Sequence, residues 1–100
     1  MSWTIYYLDR FYEVDIEEEP ICPSKLFELG EKVKPIVHKT LNSCHPAPQR
    51  LELKNVAALK DGFVWEYKAV LENGFLRAVL IYSDNPVKTL QEFDSLKLGW

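Results

Sequence analysis

Apolar and polar residues alternate near the N-terminus. Tyr12, Val14 and Ile16 occupy every second position, and acidic residues stand between them. Because successive side chains of a strand point to opposite faces, this alternation predicts a strand over residues 12–17 with one buried and one acidic face. The preceding aromatic segment is also extended. It either turns at Asp9 and Arg10 to form a hairpin or continues as one long strand with a bulge; we favour the hairpin.

Helical spacing dominates between residues 26 and 41. Apolar residues recur there every three or four positions and define one face, formed by Leu26, Leu29, Val33, Ile36, Val37 and Leu41. Pro23 and Ser24 precede this face, so we expect the helix to begin there with a side-chain cap. Gly30 weakens the helix, and Pro35 removes an amide donor and crowds the preceding turn. The sequence therefore predicts a helix that is kinked or broken at the proline.

The strongest local signal is the pair Asn73 and Gly74, which separates two extended runs. This pair favours a two-residue turn and predicts a β-hairpin. Such a loop sets the register, which places Glu72 opposite Phe75, Leu71 opposite Leu76, Ala69 opposite Ala78, Tyr67 opposite Leu80 and Trp65 opposite Tyr82. The last four pairs form one apolar face. The second strand is apolar on both sides, so we expect it in the centre of the sheet.

The remaining segments complete an α+β domain. Residues 50–55 alternate like a strand, and residues 87–93 fit either a further strand or a short helix. Leu96, Leu98 and Trp100 are expected to dock on the domain or on a partner. The prediction is a single domain over residues 1–100, with an antiparallel sheet of four to five strands and one helix packed on one face.

Composition is ordinary for a globular domain, but charge is uneven. The first 19 residues contain six acidic residues and one basic residue, and the whole chain has a formal net charge of -3. Proteins that bind nucleic acids normally carry a basic surface, because counterion release from phosphates supplies much of the affinity. No apolar run approaches the roughly 20 residues of a membrane-spanning helix, and the N-terminus lacks a basic start followed by an apolar core. We therefore expect a cytoplasmic protein that does not bind membranes.

Four residues have side chains that can bind metals: Cys22, His38, Cys44 and His45. Their spacing matches no paired-ligand pattern. Cys44 and His45 also make a poor nucleophile and base, because adjacent side chains rarely point at a common atom. We expect no metal site, no cofactor and two free, partly buried thiols.

Charged side chains gather on the mixed face of the predicted hairpin. Glu66, Lys68, Glu72 and Arg77 are expected there, and such a group could hold a phosphate through Arg77 and transfer a proton through Glu66. Glu72 would be a diagonal neighbour of Arg77 in the expected register. A surface ion pair between Arg77 and Glu72, worth less than about 1 kcal/mol, is the simpler interpretation.

Three short segments resemble a known family. The opening MSWTI followed by an aromatic pair, the middle ALKDGFVWEY and the later NGFLRAVLIY together resemble the RelE/HigB-like toxins of bacterial toxin–antitoxin systems, in their phage-derived branch. The resemblance implies ribosome-dependent mRNA cleavage, restrained by a cognate antitoxin. It also implies that Glu66 matches the glutamate after an aromatic residue, that Arg77 contacts the scissile phosphate, and that Phe93 is the phenylalanine of the last strand.

The chain departs from that family at Tyr67, where an arginine is usual, and after Phe93, where DSLKLGW replaces a pair of lysines. Our leading interpretation is therefore a small non-enzymatic protein-binding module, such as an inhibitor, adaptor or mobile-element accessory protein. Its acidic strand and aromatic surface would bind a protein with a basic surface, and a homodimer through an edge strand is a secondary expectation. The expected partner-binding residues are Glu13, Asp15, Glu17, Glu18, Glu19, Tyr6, Phe11 and Trp100. The alternative is a RelE/HigB-like ribonuclease that acts on the ribosome or RNA through Arg77, Glu66 and Lys68.

Overall fold

A computed structural model describes residues 1–20 and 22–99. The chain forms a five-stranded antiparallel sheet in the order β2-β1-β5-β4-β3, and its two faces pack against different α-helices. The elements are β1 (Ser2–Tyr7), β2 (Arg10–Glu13), a 3-10 turn (Pro23–Lys25), α1 (Leu26–Leu41), β3 (Arg50–Leu59), β4 (Gly62–Leu71), β5 (Gly74–Ser83) and α2 (Pro86–Ser95). The predicted α+β class and antiparallel sheet are confirmed.

The N-terminal strands form the hairpin that we favoured. The turn residues are Leu8 and Asp9, with φ angles of 54° and 60°, so the turn begins one residue earlier than expected. The Tyr6 hydroxyl donates to the Asp9 carboxylate at 2.9 Å. Strand β2 ends at Glu13, earlier than the alternation predicted, but the alternating burial continues through residues 14–17 and buries Ile16.

A kink or a break was expected at Pro35. Helix α1 continues through Pro35, so the expected break is absent. Pro35 and Glu31, whose carbonyl loses its helical donor because proline has no amide hydrogen, are both exposed residues. The predicted cap is also wrong. The Ser24 hydroxyl contacts the Cys22 thiol at 3.0 Å, and no side chain caps the start of the 3-10 turn or of α1.

Gly30 allows α1 to pack closely on the sheet. A Cβ atom at this position would lie 2.6 Å from Cδ1 of Trp65. The close approach lets the Trp65 indole donate to the Leu26 carbonyl at 2.7 Å and the Tyr67 hydroxyl donate to the Gly30 carbonyl at 2.6 Å. The glycine that weakens the helix locally therefore favours its docking on β4.

The β4–β5 hairpin is present, but its predicted register is wrong by two residues. The loop consists of Glu72 and Asn73, and Gly74 begins β5 with φ of 156°. The observed partners are Leu71 with Gly74, Ala69 with Leu76, Tyr67 with Ala78, Trp65 with Leu80 and Phe63 with Tyr82. A shift of two residues leaves every side chain on its original face, because the strand period is two. The predicted apolar face is therefore correct, and it packs under α1.

Residues 87–93 belong to a helix rather than a strand, so the expectation of one helix is wrong in number. The Asn85 side chain caps this helix, α2, by accepting from the Lys88 amide at 3.1 Å. Leu90 and Phe93 pack on the sheet face opposite α1. No helix in the described ranges is long and apolar enough to cross a bilayer.

Strand β3 extends to Leu59, beyond the predicted residues 50–55. A register shift between Leu53 and Asn55 interrupts its pairing with β4. This bulge places Asn55 opposite Glu66, which brings the Asn55 side-chain amide into contact with the Glu66 carboxylate.

Candidate functional site

Helix α2 covers only part of its sheet face. It packs on Val64, Val79 and Ile81, whereas the same face carries other side chains towards the β4–β5 loop and the β1–β2 turn. We call this second part the open face; it consists of Tyr6, Phe11, Lys68, Phe75 and Arg77. Phe11 and Phe75 are among the exposed large apolar residues.

Arg77 binds two carboxylates at the border between α2 and the open face. Its two terminal nitrogens contact the Asp94 oxygens at 2.5 Å and 3.4 Å, and Nη1 lies 3.6 Å from Oε2 of Glu66. The hydrogen bond that Arg77 donates to the Asp94 carboxylate is the main cause of the raised pKa of Arg77. The expected pairing with Glu72 is wrong, because the true register places Lys68 directly opposite Arg77 and leaves Glu72 in the loop.

Glu66 is a buried carboxylate, with 4% of its surface exposed. The Asn55 side chain donates to Oε1 of Glu66 at 2.8 Å, and the same nitrogen lies 3.4 Å from the Gly99 carbonyl. Burial of a charged group is costly unless partners compensate it, and Arg77 and Asn55 supply that compensation. The structure thus places Glu66, Lys68 and Arg77 on one sheet face, as the sequence predicted, and it also brings Glu66 and Arg77 into contact.

Aromatic rings and cationic side chains contact one another on the open face. The rings of Tyr6 and Phe11 lie 4.9 Å apart, and the Arg77 guanidinium is 5.9 Å from the Tyr6 ring. The Lys68 ammonium lies 4.4 Å from the Phe75 ring. These distances are in the range of aromatic and cation–π contacts.

The predicted acidic residues begin at the end of the edge strand β2 and continue along the segment that follows it. We call Glu13, Asp15, Glu17 and Glu19 the acidic edge; all four are exposed. Within residues 1–20 and 22–99, no ion pair involves any of them. Glu18 differs, because it is half-buried and pairs with Lys32 of α1 at 2.5 Å.

The predicted partner-binding residues therefore fall into separate places. Tyr6, Phe11 and Glu13 share the β1–β2 hairpin, and the register places Glu13 and Phe11 on the same side of β2. The rest of the acidic edge follows along the chain, while Glu18 is held by α1. Trp100 lies outside the described residues.

The metal-capable residues are dispersed. Cys22 and Cys44 are free thiols; Cys44 is half-buried, but Cys22 is exposed, contrary to expectation. The hydrogen bond with Ser24 is the main cause that lowers the pKa of Cys22. His38 Nε2 lies 2.9 Å from the Pro48 carbonyl. Among the residues with described positions, no three His, Cys, Asp or Glu side chains gather where they could hold a metal ion.

The sequence did not indicate two residues that contact the Glu66–Arg77 pair, namely Asp94 and Asn55. Asp94 reaches Arg77 only because α2 packs across the sheet, and Asn55 reaches Glu66 only because of the bulge in β3. The alternating charged residues of β3 predicted a strand, but nothing in them indicated the bulge that places Asn55 opposite Glu66. No protein-family model, curated protein or solved structure matches this chain.

Proposed function

We propose that this chain is a non-enzymatic protein-binding module whose partner presents a basic surface. The observation that carries the proposal is the position of Phe11, which is 40% exposed, packs against the Tyr6 ring and lies beside Glu13 on the edge strand β2. Protein interfaces commonly combine an aromatic anchor with charges that steer the approach of the partner. The acidic edge continues this charge along residues 13–19.

The state of Arg77 supports a binding role over a catalytic one. Its guanidinium already contacts the carboxylates of Glu66 and Asp94. Two carboxylates around one guanidinium leave little positive potential for a substrate phosphate. The charges of the acidic edge, in contrast, are available to a basic partner.

Neutralising the acidic edge is expected to weaken partner binding by about tenfold at low salt, mainly through slower association. The variant Asp15→Asn/Glu17→Gln/Glu19→Gln removes three charges with little change in side-chain size. The partner is first identified by photo-crosslinking from position 11, and association and dissociation rates are then measured with purified proteins. The difference between variant and wild type should shrink at high salt, because exposed charges are screened.

The control Glu31→Gln/Glu72→Gln/Asp84→Asn changes net charge equally at other exposed sites. It should bind like the wild-type chain. Equal affinities for the acidic-edge variant and the wild type at low salt would contradict the proposal. An equal loss in the control would show that net charge, rather than this edge, governs binding.

A RelE/HigB-like ribonuclease is the second candidate. The observation that favours it is the row formed by Lys68 and Arg77, which are direct partners across β4 and β5, with Glu66 in contact with Arg77. After displacement of Asp94, the two cations would hold the scissile phosphate. Glu66 would accept the proton of the attacking RNA 2′-hydroxyl as its oxygen bonds to phosphorus, while the bond from phosphorus to the leaving 5′-oxygen breaks and that oxygen takes a proton from water.

This candidate predicts that expression of the chain arrests growth and that Arg77→Ala relieves the arrest. The matched control is Arg50→Ala, which removes an exposed arginine that pairs with Glu52 and should leave the arrest in place. Cell density and mRNA integrity after induction are the measurements. Normal growth with intact mRNA during wild-type expression would rule against the ribonuclease.

A further inference from the structure

The chain turns back over the sheet after helix α2. The Leu96 and Lys97 amides still donate to the carbonyls of Phe93 and Asp94, at 3.1 Å and 3.2 Å. Lys97 then has φ of 53°, and the Gly99 carbonyl lies 3.4 Å from the Asn55 side-chain nitrogen on β3. We call residues 94–99 the C-terminal strap. It contacts the sheet near each end, through Asp94 and through Gly99.

The side chains that hold the strap also hold Glu66. Nη1 of Arg77 lies 2.5 Å from Asp94 and 3.6 Å from Glu66, and Nδ2 of Asn55 lies 2.8 Å from Glu66 and 3.4 Å from Gly99. A buried carboxylate that lost its donors would be strongly disfavoured. Because Arg77 and Asn55 belong to the sheet, they remain with Glu66 when the strap leaves. Glu66 therefore keeps these two partners when the strap detaches.

Among residues 1–20 and 22–99, few other contacts fix the strap. Leu96 and Leu98 are each 46% exposed, whereas Phe93, immediately before the strap, is buried in the core under α2. Asp94 is also largely exposed, and exposed ion pairs contribute little and are screened by salt. Lys97 adopts a left-handed backbone conformation, which is unfavourable for residues other than glycine. The strap is thus weakly held, whereas Phe93, which directly precedes it, is firmly packed in the core.

We propose that the C-terminal strap is a built-in cover of the Glu66–Arg77 site, which opens as a unit beyond Phe93 and controls access of ligands to the Arg77 guanidinium. In the closed state, the Asp94 carboxylate is paired with the Arg77 guanidinium and blocks the approach of other anions to it. In the open state, Arg77 remains oriented by Glu66 and faces solvent. This inference goes beyond the protein-binding proposal and does not depend on the acidic edge.

Chemical modification of arginines tests the proposal on the full-length chain. Phenylglyoxal reacts with accessible guanidinium groups, and mass spectrometry gives the rate at Arg77 relative to that at the exposed Arg50. Asp94→Asn should raise this ratio by up to about fivefold, which corresponds to the upper range for an exposed ion pair. Lys97→Pro should raise it comparably, because proline cannot adopt φ of 53° and lacks the amide that donates to Asp94.

The two variants separate a strap from a local ion pair. Lys97→Pro retains every side chain that contacts Arg77, so a faster reaction in this variant shows that the strap opens as a unit. An increase in Asp94→Asn alone, or in neither variant, overturns the proposal. Hydrogen exchange at the buried Thr89, whose amide donates to Asn85, should stay unchanged and so exclude unfolding of α2.

The wild-type chain supplies a test that no folding defect can affect. Raising NaCl from about 0.05 M to about 0.5 M screens the Asp94–Arg77 pair and should increase the relative reactivity of Arg77. The Arg50 reference corrects for any effect of salt on the reagent. A ratio that does not respond to salt also overturns the proposal.

Discussion

Replacing Gly30 with alanine is expected to lower the free energy of unfolding by about 2 kcal/mol. The new Cβ atom would lie 2.6 Å from Cδ1 of Trp65 and 2.7 Å from Cδ2 of Leu53. Trp65 is fully buried and bonded to the Leu26 carbonyl, so it cannot easily withdraw. Overpacking costs about 1–3 kcal/mol and is severe here, whereas the higher helix propensity of alanine returns only about 1 kcal/mol. Denaturant unfolding measures the difference.

Gly99→Ala is the matched control, because a Cβ at Gly99 would meet no atom within 4 Å. It should change stability by less than about 0.5 kcal/mol. Adding Leu53→Ala to Gly30→Ala removes one of the clashing side chains, so the double variant should be more stable than the sum of the single effects predicts. A stabilising Gly30→Ala would show that helix propensity outweighs the close approach of α1 to β4.

Above a pH of about 10, the domain is expected to lose stability through Tyr67. Burial raises the pKa of this hydroxyl, which donates to the Gly30 carbonyl at 2.6 Å. In the unfolded chain Tyr67 releases its proton near pH 10, whereas the folded protein retains it. The contribution is therefore complete below pH 10 and falls as the pH rises towards the folded-state pKa, by at most about 1.4 kcal/mol per pH unit.

The variant Tyr67→Phe should remove this part of the alkaline slope. It will be about 1 kcal/mol less stable at neutral pH because the Tyr67–Gly30 hydrogen bond is lost. The control Trp65→Phe also loses a hydrogen bond to α1 but removes no ionisable group, so it should keep the wild-type slope. Unfolding free energies measured across the alkaline range distinguish the two variants. Coincident slopes for Tyr67→Phe and the wild type would contradict the proposed titration.

Side-chain alternation predicted the sheet faces better than the turn signal predicted the register. Asn73 and Gly74 correctly indicated a hairpin, but the loop is formed by Glu72 and Asn73. Gly74 instead begins β5 with a backbone conformation that suits glycine. The period of two made the core face correct despite the shift, whereas the partner of Arg77 was wrong.

Tertiary packing decided what local propensity could not. Gly30 and Pro35 both predict a weakened helix, yet α1 is continuous because Trp65 and Tyr67 bind its backbone and Pro35 faces water. Likewise, no local pattern around Asp94 indicates contact with Arg77, because that contact depends on how α2 crosses the sheet. The sheet faces and helix α1 were therefore predictable from sequence, whereas helix α2 and the contacts between distant elements were not.

Strand β1 pairs with β5, the strand that lies farthest from it along the described chain. Ser2 of β1 is the partner of Ser83 in β5, whereas β3, β4 and β5 pair with their neighbours along the chain. Closing so long a loop carries an entropic cost before any contact compensates it, so we expect β1 to join the sheet late. During translation, Trp3 and Ile5 of β1 cannot reach their positions in the sheet until β5 has left the ribosome. Until then, β1 exposes apolar and aromatic side chains that the folded domain buries.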